Sequence, residues 1–167
     1  MTKLRVADFY YGAVLSMLFN QGIMKPALIE GNDDRQVYDF TTNPGNEYRL
    51  FMKYRVEKQD KKSPDYSSWS FNITKDHQEL KNYIEKGYNV VLALVCRPKD
   101  LAKSELVLLN KEQILQIINT GKMTFTVKWK KHGRYYRIPR IGENSSDLTV
   151  KYNSFEELFK TRTSLNN

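Results

Sequence analysis

The chain has 167 residues, of which 40% are hydrophobic and 13% aromatic; this composition predicts one packed domain and excludes a disordered tail. Its 27 basic residues outnumber 19 acidic residues, so the net charge is +8, which favours a polyanionic partner such as nucleic acid. The single cysteine excludes a disulfide framework and a cysteine-based zinc finger, and the two histidines exclude a histidine-rich metal site.

The first predicted element is a helix over residues 7–24. Asp8 stands near its start, where a carboxylate meets free backbone N–H groups. Apolar residues cover nearly the whole circumference of this segment. We therefore expect the helix to be buried, either by the rest of the domain or by a second copy of the chain in a homodimer.

The same segment determines what the sequence predicts about membranes. Its uncharged run, at positions 9–24, has 16 residues, which is short for a helix that spans a bilayer with about 20 apolar residues. No association with a membrane is predicted. The single cysteine and the lysine-rich composition are typical of a protein from the reducing cytoplasm.

Three strands are predicted next, over residues 35–41, 46–56 and 69–73. The second has the clearest alternation in the chain, with apolar and aromatic side chains on one face. The opposite face of this strand carries Glu47, Arg49, Phe51, Lys53 and Arg55.

Two further helices are predicted from their capping residues. Thr74 is expected to cap a helix over residues 75–87. Asn110 and Gln113 form a capping box at the start of a helix over residues 111–119, because the two side chains can satisfy each other's backbone N–H groups.

Strands surround these helices in the second half of the chain. The continuous apolar run at residues 88–96 is typical of a central strand covered on both faces, and its Cys96 is expected to lie in the core. A short strand at residues 105–109 follows. Residues 123–131 and 134–140 then alternate as the two strands of a β-hairpin.

A short helix that begins at Ser154 completes the predicted elements. Their order predicts a single α/β (α+β) domain in which one mixed β-sheet is flanked by helices. The core would cover about residues 7–119, and the hairpin with the short helix would cover about residues 122–161.

The positive charge is concentrated in and around the hairpin. Residues 113–142 contain no acidic residue and seven basic ones, and the rest of the chain carries a net charge of only +1. A hairpin can lay a row of cations along a phosphate backbone, with Tyr135 or Trp129 stacked on a base. The alternative is a solvated hairpin whose lysines protect a sheet edge from aggregation. The residues predicted to bind nucleic acid, DNA above all, are Lys128, Lys130, Lys131, Arg134, Tyr135, Arg137 and Arg140.

A second set of residues points to metal-dependent chemistry. Acidic residues that include Glu30 and Asp39 precede Lys53. A carboxylate on one strand, followed about 10–30 residues later by carboxylate-x-lysine on the next, is the layout of a metal-dependent phosphodiesterase, in which carboxylates hold Mg²⁺ and the metal activates water. This pattern makes Asp39 and Lys53 the candidate catalytic residues. The alternatives are a solvated Lys53 and an Asp39 that caps a turn.

The strands of Asp39, Lys53 and Trp69, with the helices around them and the apolar run that follows, resemble the core of the restriction-endonuclease-like, or PD-(D/E)XK, superfamily. The resemblance implies the fold of that superfamily and Mg²⁺-dependent cleavage of nucleic acid. Asp39 resembles the motif aspartate, Lys53 the motif lysine, and Glu30 the acidic residue that some members place earlier. The resemblance implies Glu30 and Asp39 as ligands of Mg²⁺. Phe51 stands where the motif has a carboxylate.

The sequence thus leaves two functions open. The first is a nucleic-acid-binding, restriction-endonuclease-like protein that also cleaves its substrate with Mg²⁺. The second is a non-catalytic module that binds a protein or a nucleic acid, such as a phage or mobile-element protein that acts on a host factor. The carboxylate missing at position 51 favours the second, whereas the basic hairpin is compatible with both.

Overall fold

The computed structural model describes residues 5–20, 24–31, 35–42, 45–56, 66–97 and 105–152. The three helices of this part are α1 (Val6–Asn20), α2 (His77–Glu85) and α3 (Lys111–Asn119). Its nine strands are β1 (Met24–Gly31), β2 (Gln36–Thr41), β3 (Glu47–Val56), β4 (Tyr66–Asn72), β5 (Val90–Arg97), β6 (Glu105–Leu109), β7 (Thr124–Lys130), β8 (Tyr135–Ile138) and β9 (Leu148–Lys151).

The strands form two sheets. The first sheet has the order β1-β2-β3-β5-β6, and within it only the pair β3–β5 is parallel. The second sheet has the order β4-β7-β8-β9 and is antiparallel throughout. The predicted α+β class is confirmed. The sequence indicated a single sheet, but β4, which carries Trp69, pairs with the hairpin instead of joining β3.

Helix α1 packs against one face of the first sheet. It buries Ala7, Tyr10, Tyr11, Val14 and Leu18, and these pack with residues of β2, β3 and β5. The opposite side of the helix is also apolar but exposed. The predicted bounds of 7–24 were wrong at the far end: the helix ends at Asn20, and Met24 already begins β1. Asn20, Gln21 and Gly22 interrupt the apolar pattern at this boundary, so the helix ends before the uncharged run does.

Strand β5 is buried on both of its faces. Seven of its eight residues are buried, as its continuous apolar run predicted. Val91, Ala93 and Val95 pack on the side of α1. Their alternate neighbours, Cys96 among them, face a second core that contains α2, α3 and the inner face of the second sheet. The fold therefore has three layers: α1, the first sheet, and the second sheet together with the other two helices.

Polar contacts also join the two sheets. The indole Nε1 of Trp69 donates a hydrogen bond to the carbonyl oxygen of Arg97, at 2.9 Å. The hydroxyl of Tyr136, on β8, donates to the carboxylate of Glu105, on β6. Burial, and then this hydrogen bond, raise the pKa of the Tyr136 phenol, so that it stays a donor. These contacts fix how the second sheet lies on the first.

The sequence predicted the start of α3 correctly and the start of α2 less well. The capping box is present: Asn110 Oδ1 accepts from the Gln113 N–H, and the Gln113 side chain accepts from the Asn110 N–H. Helix α2 begins later than predicted, with Asp76 rather than Thr74 as its N-cap residue. The helix predicted to begin at Ser154 lies outside the described residues.

Within the described part of the chain, no helix has both the length and the hydropathy that crossing a membrane would require.

The two tryptophans offer a matched test of how the sheets are joined. Trp69 is fully buried between the sheets, whereas Trp129 is half-buried and its Nε1 lies 3.4 Å from the Gly133 oxygen. Trp69→Phe should lower the free energy of unfolding by at least about 1–3 kcal/mol, because it removes the bond to Arg97 and leaves that acceptor without its partner. Trp129→Phe should lower the free energy of unfolding by a clearly smaller amount. Urea unfolding followed by circular dichroism compares them, and equal losses would contradict this account.

Candidate nucleic-acid interface

The second sheet has one apolar and one polar face. Along β7, Phe125 and Val127 are buried against the first sheet, whereas Lys128 and Lys130 are exposed. The other three strands alternate in the same way. We call the solvent-facing side the outer face; it consists of Tyr66, Ser68, Ser70, Asn72, Thr124, Thr126, Lys128, Lys130, Tyr135, Arg137, Thr149 and Lys151. None of these residues is acidic.

Strand register arranges the outer face in rows that run across the sheet. Lys128 is paired with Ser68 on one side and with Arg137 on the other, and Arg137 is paired with Thr149. Neighbouring strands lie about 4.8 Å apart. The two cations at the centre of this row are therefore direct neighbours, flanked by hydroxyl groups that can donate hydrogen bonds.

Within the described part of the chain, the cations of the outer face have no acidic partner. Across the described residues, no carboxylate lies within ion-pair distance of Lys128, Lys130, Arg137 or Lys151. Like charges this close repel one another unless an anion lies between them. The outer face is thus a positively charged surface that the described part of the protein leaves uncompensated.

One end of the outer face contains a hollow of about 360 Å³. Lys122, Lys128 and Arg140 line it together with the hydroxyl-bearing Thr124 and Thr126. Three cations around a hollow of this size suit a phosphate group, which accepts several charge-assisted hydrogen bonds at once.

The structure places the predicted hairpin residues in two groups. Lys128, Lys130, Tyr135 and Arg137 lie on the outer face, and Arg140 lies at its hollow. Lys131 and Arg134 are exposed in the turn between the strands.

Trp129 does not belong to this face, because it packs on the inner side against the core. Its ring is therefore not placed to stack on a base from the outer side.

Sequence reasoning missed part of this surface. Lys151 lies beyond the acid-free segment at residues 113–142, and Ser68 and Ser70 belong to β4, whose pairing with the hairpin the sequence did not predict. The alternation at residues 148–151 could have revealed Lys151, because Leu148 and Val150 are buried while Thr149 and Lys151 are exposed.

Asp39, the predicted catalytic and metal-binding aspartate, is held by an arginine. Arg49 donates two hydrogen bonds to its carboxylate, from Nε at 2.7 Å and from Nη2 at 2.9 Å. The guanidinium lies over the rings of Tyr83 and Tyr88, 4.5 and 4.0 Å from their centroids. These hydrogen bonds raise the pKa of Arg49, so the arginine keeps its charge and both carboxylate oxygens already have a donor.

Lys53, the predicted catalytic lysine, lies in a different cluster. It is 2% exposed, and its ammonium pairs with the buried Asp76 and donates to the Asn72 carbonyl oxygen. Arg35 also binds Asp76, at 2.8 Å. Because Arg49, the partner of Asp39, precedes Lys53 by four residues on β3, about 13 Å of strand separate the two predicted catalytic residues. The structure does not bring them together.

The described residues do not form a donor set for a metal near Asp39. No three histidine, cysteine, aspartate or glutamate residues of the described part converge on a point where an ion could bind. Glu30 lies on β1 opposite Val37, and its side chain is outside what the structure describes. A Mg²⁺ ion at Asp39 would have to compete with the two hydrogen bonds and the positive charge of Arg49.

The chain was compared with family models, with curated proteins and with solved structures, and none of them matched it. The function is therefore inferred from the geometry of the Asp39–Arg49 pair, the Lys53–Asp76 pair and the outer face.

The buried position of Lys53 gives a test of its role. Lys53→Met should lower the free energy of unfolding by about 3 kcal/mol, because it leaves the Asp76 carboxylate buried with one counter-charge fewer. Lys81→Met is the matched control, since its ammonium lies 3.9 Å from Glu85 at the surface and exposed pairs contribute less than about 1 kcal/mol. Urea unfolding measures both variants. A Lys53→Met protein as stable as the control would contradict a structural role for the pair.

Proposed function

We propose that this protein binds nucleic acid through the outer face of its second sheet. The observation that carries the proposal is that every charged side chain on this face is a cation and that, among the described residues, none of them has an acidic partner. A polyanion would relieve the repulsion between these cations and would release its own condensed counterions.

The arrangement of the donors supports contact with a phosphate backbone. Arg137 supplies a planar fork that can bind one phosphate through two hydrogen bonds, and the lysines supply point charges on either side. The threonine and serine hydroxyls add neutral donors between the strands. Contacts of this kind position a backbone and carry no sequence information, so the proposed binding tolerates many sequences.

The proposal includes the resemblance to the restriction-endonuclease-like superfamily. Apart from β4, which joins the second sheet, the order α1, β1, β2, β3, α2, β5, with β5 paired in parallel to β3, supports that resemblance. Asp39 and Lys53 lie apart, each held by its own partner of opposite charge, and this arrangement favours binding over cleavage. DNA remains the partner that we propose first.

Salt and charge together test the proposal. If Lys128, Lys130, Arg137 and Lys151 each contact a phosphate, the logarithm of the association constant should fall with the logarithm of salt concentration with a slope of about −3 to −4. Lys128→Ala/Arg137→Ala should weaken binding and reduce the magnitude of that slope by about 2. Fluorescence anisotropy with labelled oligonucleotides at several salt concentrations measures both quantities.

The matched control removes the same charge elsewhere. Lys86 and Lys111 are exposed near helix ends away from the outer face, so Lys86→Ala/Lys111→Ala should leave affinity and slope nearly unchanged. If the two double variants lost affinity equally, binding would depend on the net charge of the protein and not on the position of its cations. That result, or the absence of binding at low salt, would contradict the proposed interface.

Cleavage is tested separately from binding. With Mg²⁺ or Mn²⁺ present, plasmid and single-stranded substrates should remain intact, because Arg49 already occupies the carboxylate of Asp39. The comparison uses the natural chain and Asp39→Asn, which keeps the shape of the side chain and removes its charge. Cleavage by the natural chain that Asp39→Asn abolishes would establish a nuclease and contradict this prediction.

A further inference from the structure

Tyrosine and lysine alternate at the hairpin end of the outer face. Tyr66 is paired with Lys130 across β4 and β7, and Tyr135 is paired with Lys151 across β8 and β9. Lys130 and Tyr135 end β7 and begin β8, on either side of the hairpin turn. The row therefore contains a tyrosine, a lysine, a second tyrosine and a second lysine, one on each strand of the sheet.

These two tyrosines are unlike the others in the chain. Each of the other nine of the 11 tyrosines stacks on an aromatic ring or forms a side-chain hydrogen bond. Tyr66 and Tyr135 have neither kind of partner within the described ranges, and they are 48% and 52% exposed. Two half-exposed rings on a charged surface form no part of the core and are available to a ligand.

We propose that the outer face takes single-stranded nucleic acid, with bases stacked on Tyr66 and Tyr135 and phosphates bound by Lys130 and Lys151. This inference rests on the proposed nucleic-acid binding and names its substrate class. The bases of a duplex are already stacked on one another and do not offer their faces to a flat sheet, whereas the bases of a single strand do. Exposed aromatic rings among cations on a sheet are the usual platform for single strands.

The spacing of the row fits this arrangement. The two tyrosines are two strands apart, or about 10 Å, and Lys130 lies between them. One phosphate can therefore be held between two stacked bases. Because every base has an aromatic face, stacking selects single strands without selecting a sequence.

The experiment measures the affinity of the full chain for a single-stranded 15-mer of thymidine or uridine and for a duplex of equal length, in the same salt. Tyr66→Ala and Tyr135→Ala should each weaken single-strand binding by about 5- to 150-fold and leave duplex binding within about twofold. Tyr66→Phe and Tyr135→Phe should bind single strands as the natural chain does, because stacking needs the ring and not the hydroxyl. Circular dichroism confirms that each variant is folded.

The outcomes separate this inference from the proposed function. Tyrosine-dependent binding of either the thymidine or the uridine strand supports the inference. If the alanine variants bind single strands as tightly as the natural chain, while Lys128→Ala/Arg137→Ala weakens binding to both substrates, the inference is overturned and the interface stands. If neither substrate binds at low salt, the proposed function itself fails.

Discussion

The apolar contact between the two sheets is the constraint on which the rest of the molecule depends. Residues such as Phe71, Val127 and Ile138 are buried there, and successive side chains of a strand point to opposite faces. Once these residues face inwards, their neighbours along β4, β7, β8 and β9 must face water. The packing of one side of the second sheet therefore determines that the other side is charged. A shift of register by one residue would move the apolar side chains to the surface and the charged ones into the core.

Charge is distributed differently on the two sheets. Three cations in and beside the first sheet have acidic partners: Arg49 pairs with Asp39, Lys53 with Asp76, and Arg35 with both Asp76 and Glu79. Such pairs tolerate burial because each charge has a counter-charge and hydrogen bonds. The outer face of the second sheet has cations without carboxylates. Four of the basic residues behind the net charge of +8 therefore lie together on one face of the protein.

The sequence predicted local features well and long-range ones poorly. Alternation placed Lys128 and Arg137 on a polar face, and the capping box at Asn110 was correct because its partners are three residues apart. The sheet that β4 joins was not predictable, since alternation shows which face is apolar but not which strand lies alongside. Lys53 was expected to be solvated or catalytic; its partner Asp76 lies 23 residues away, and only the fold brings the two together.

The position of Cys96 between the sheets has a consequence for its reactivity. Burial, and to a smaller extent the nearby Glu105 carboxylate, raise the pKa of its thiol, so little of the reactive thiolate forms while the core is closed. It is also the only cysteine in the chain. Alkylation of this thiol therefore reports opening of the central layer with no background signal, and a cysteine introduced on the surface could be labelled selectively in the folded protein.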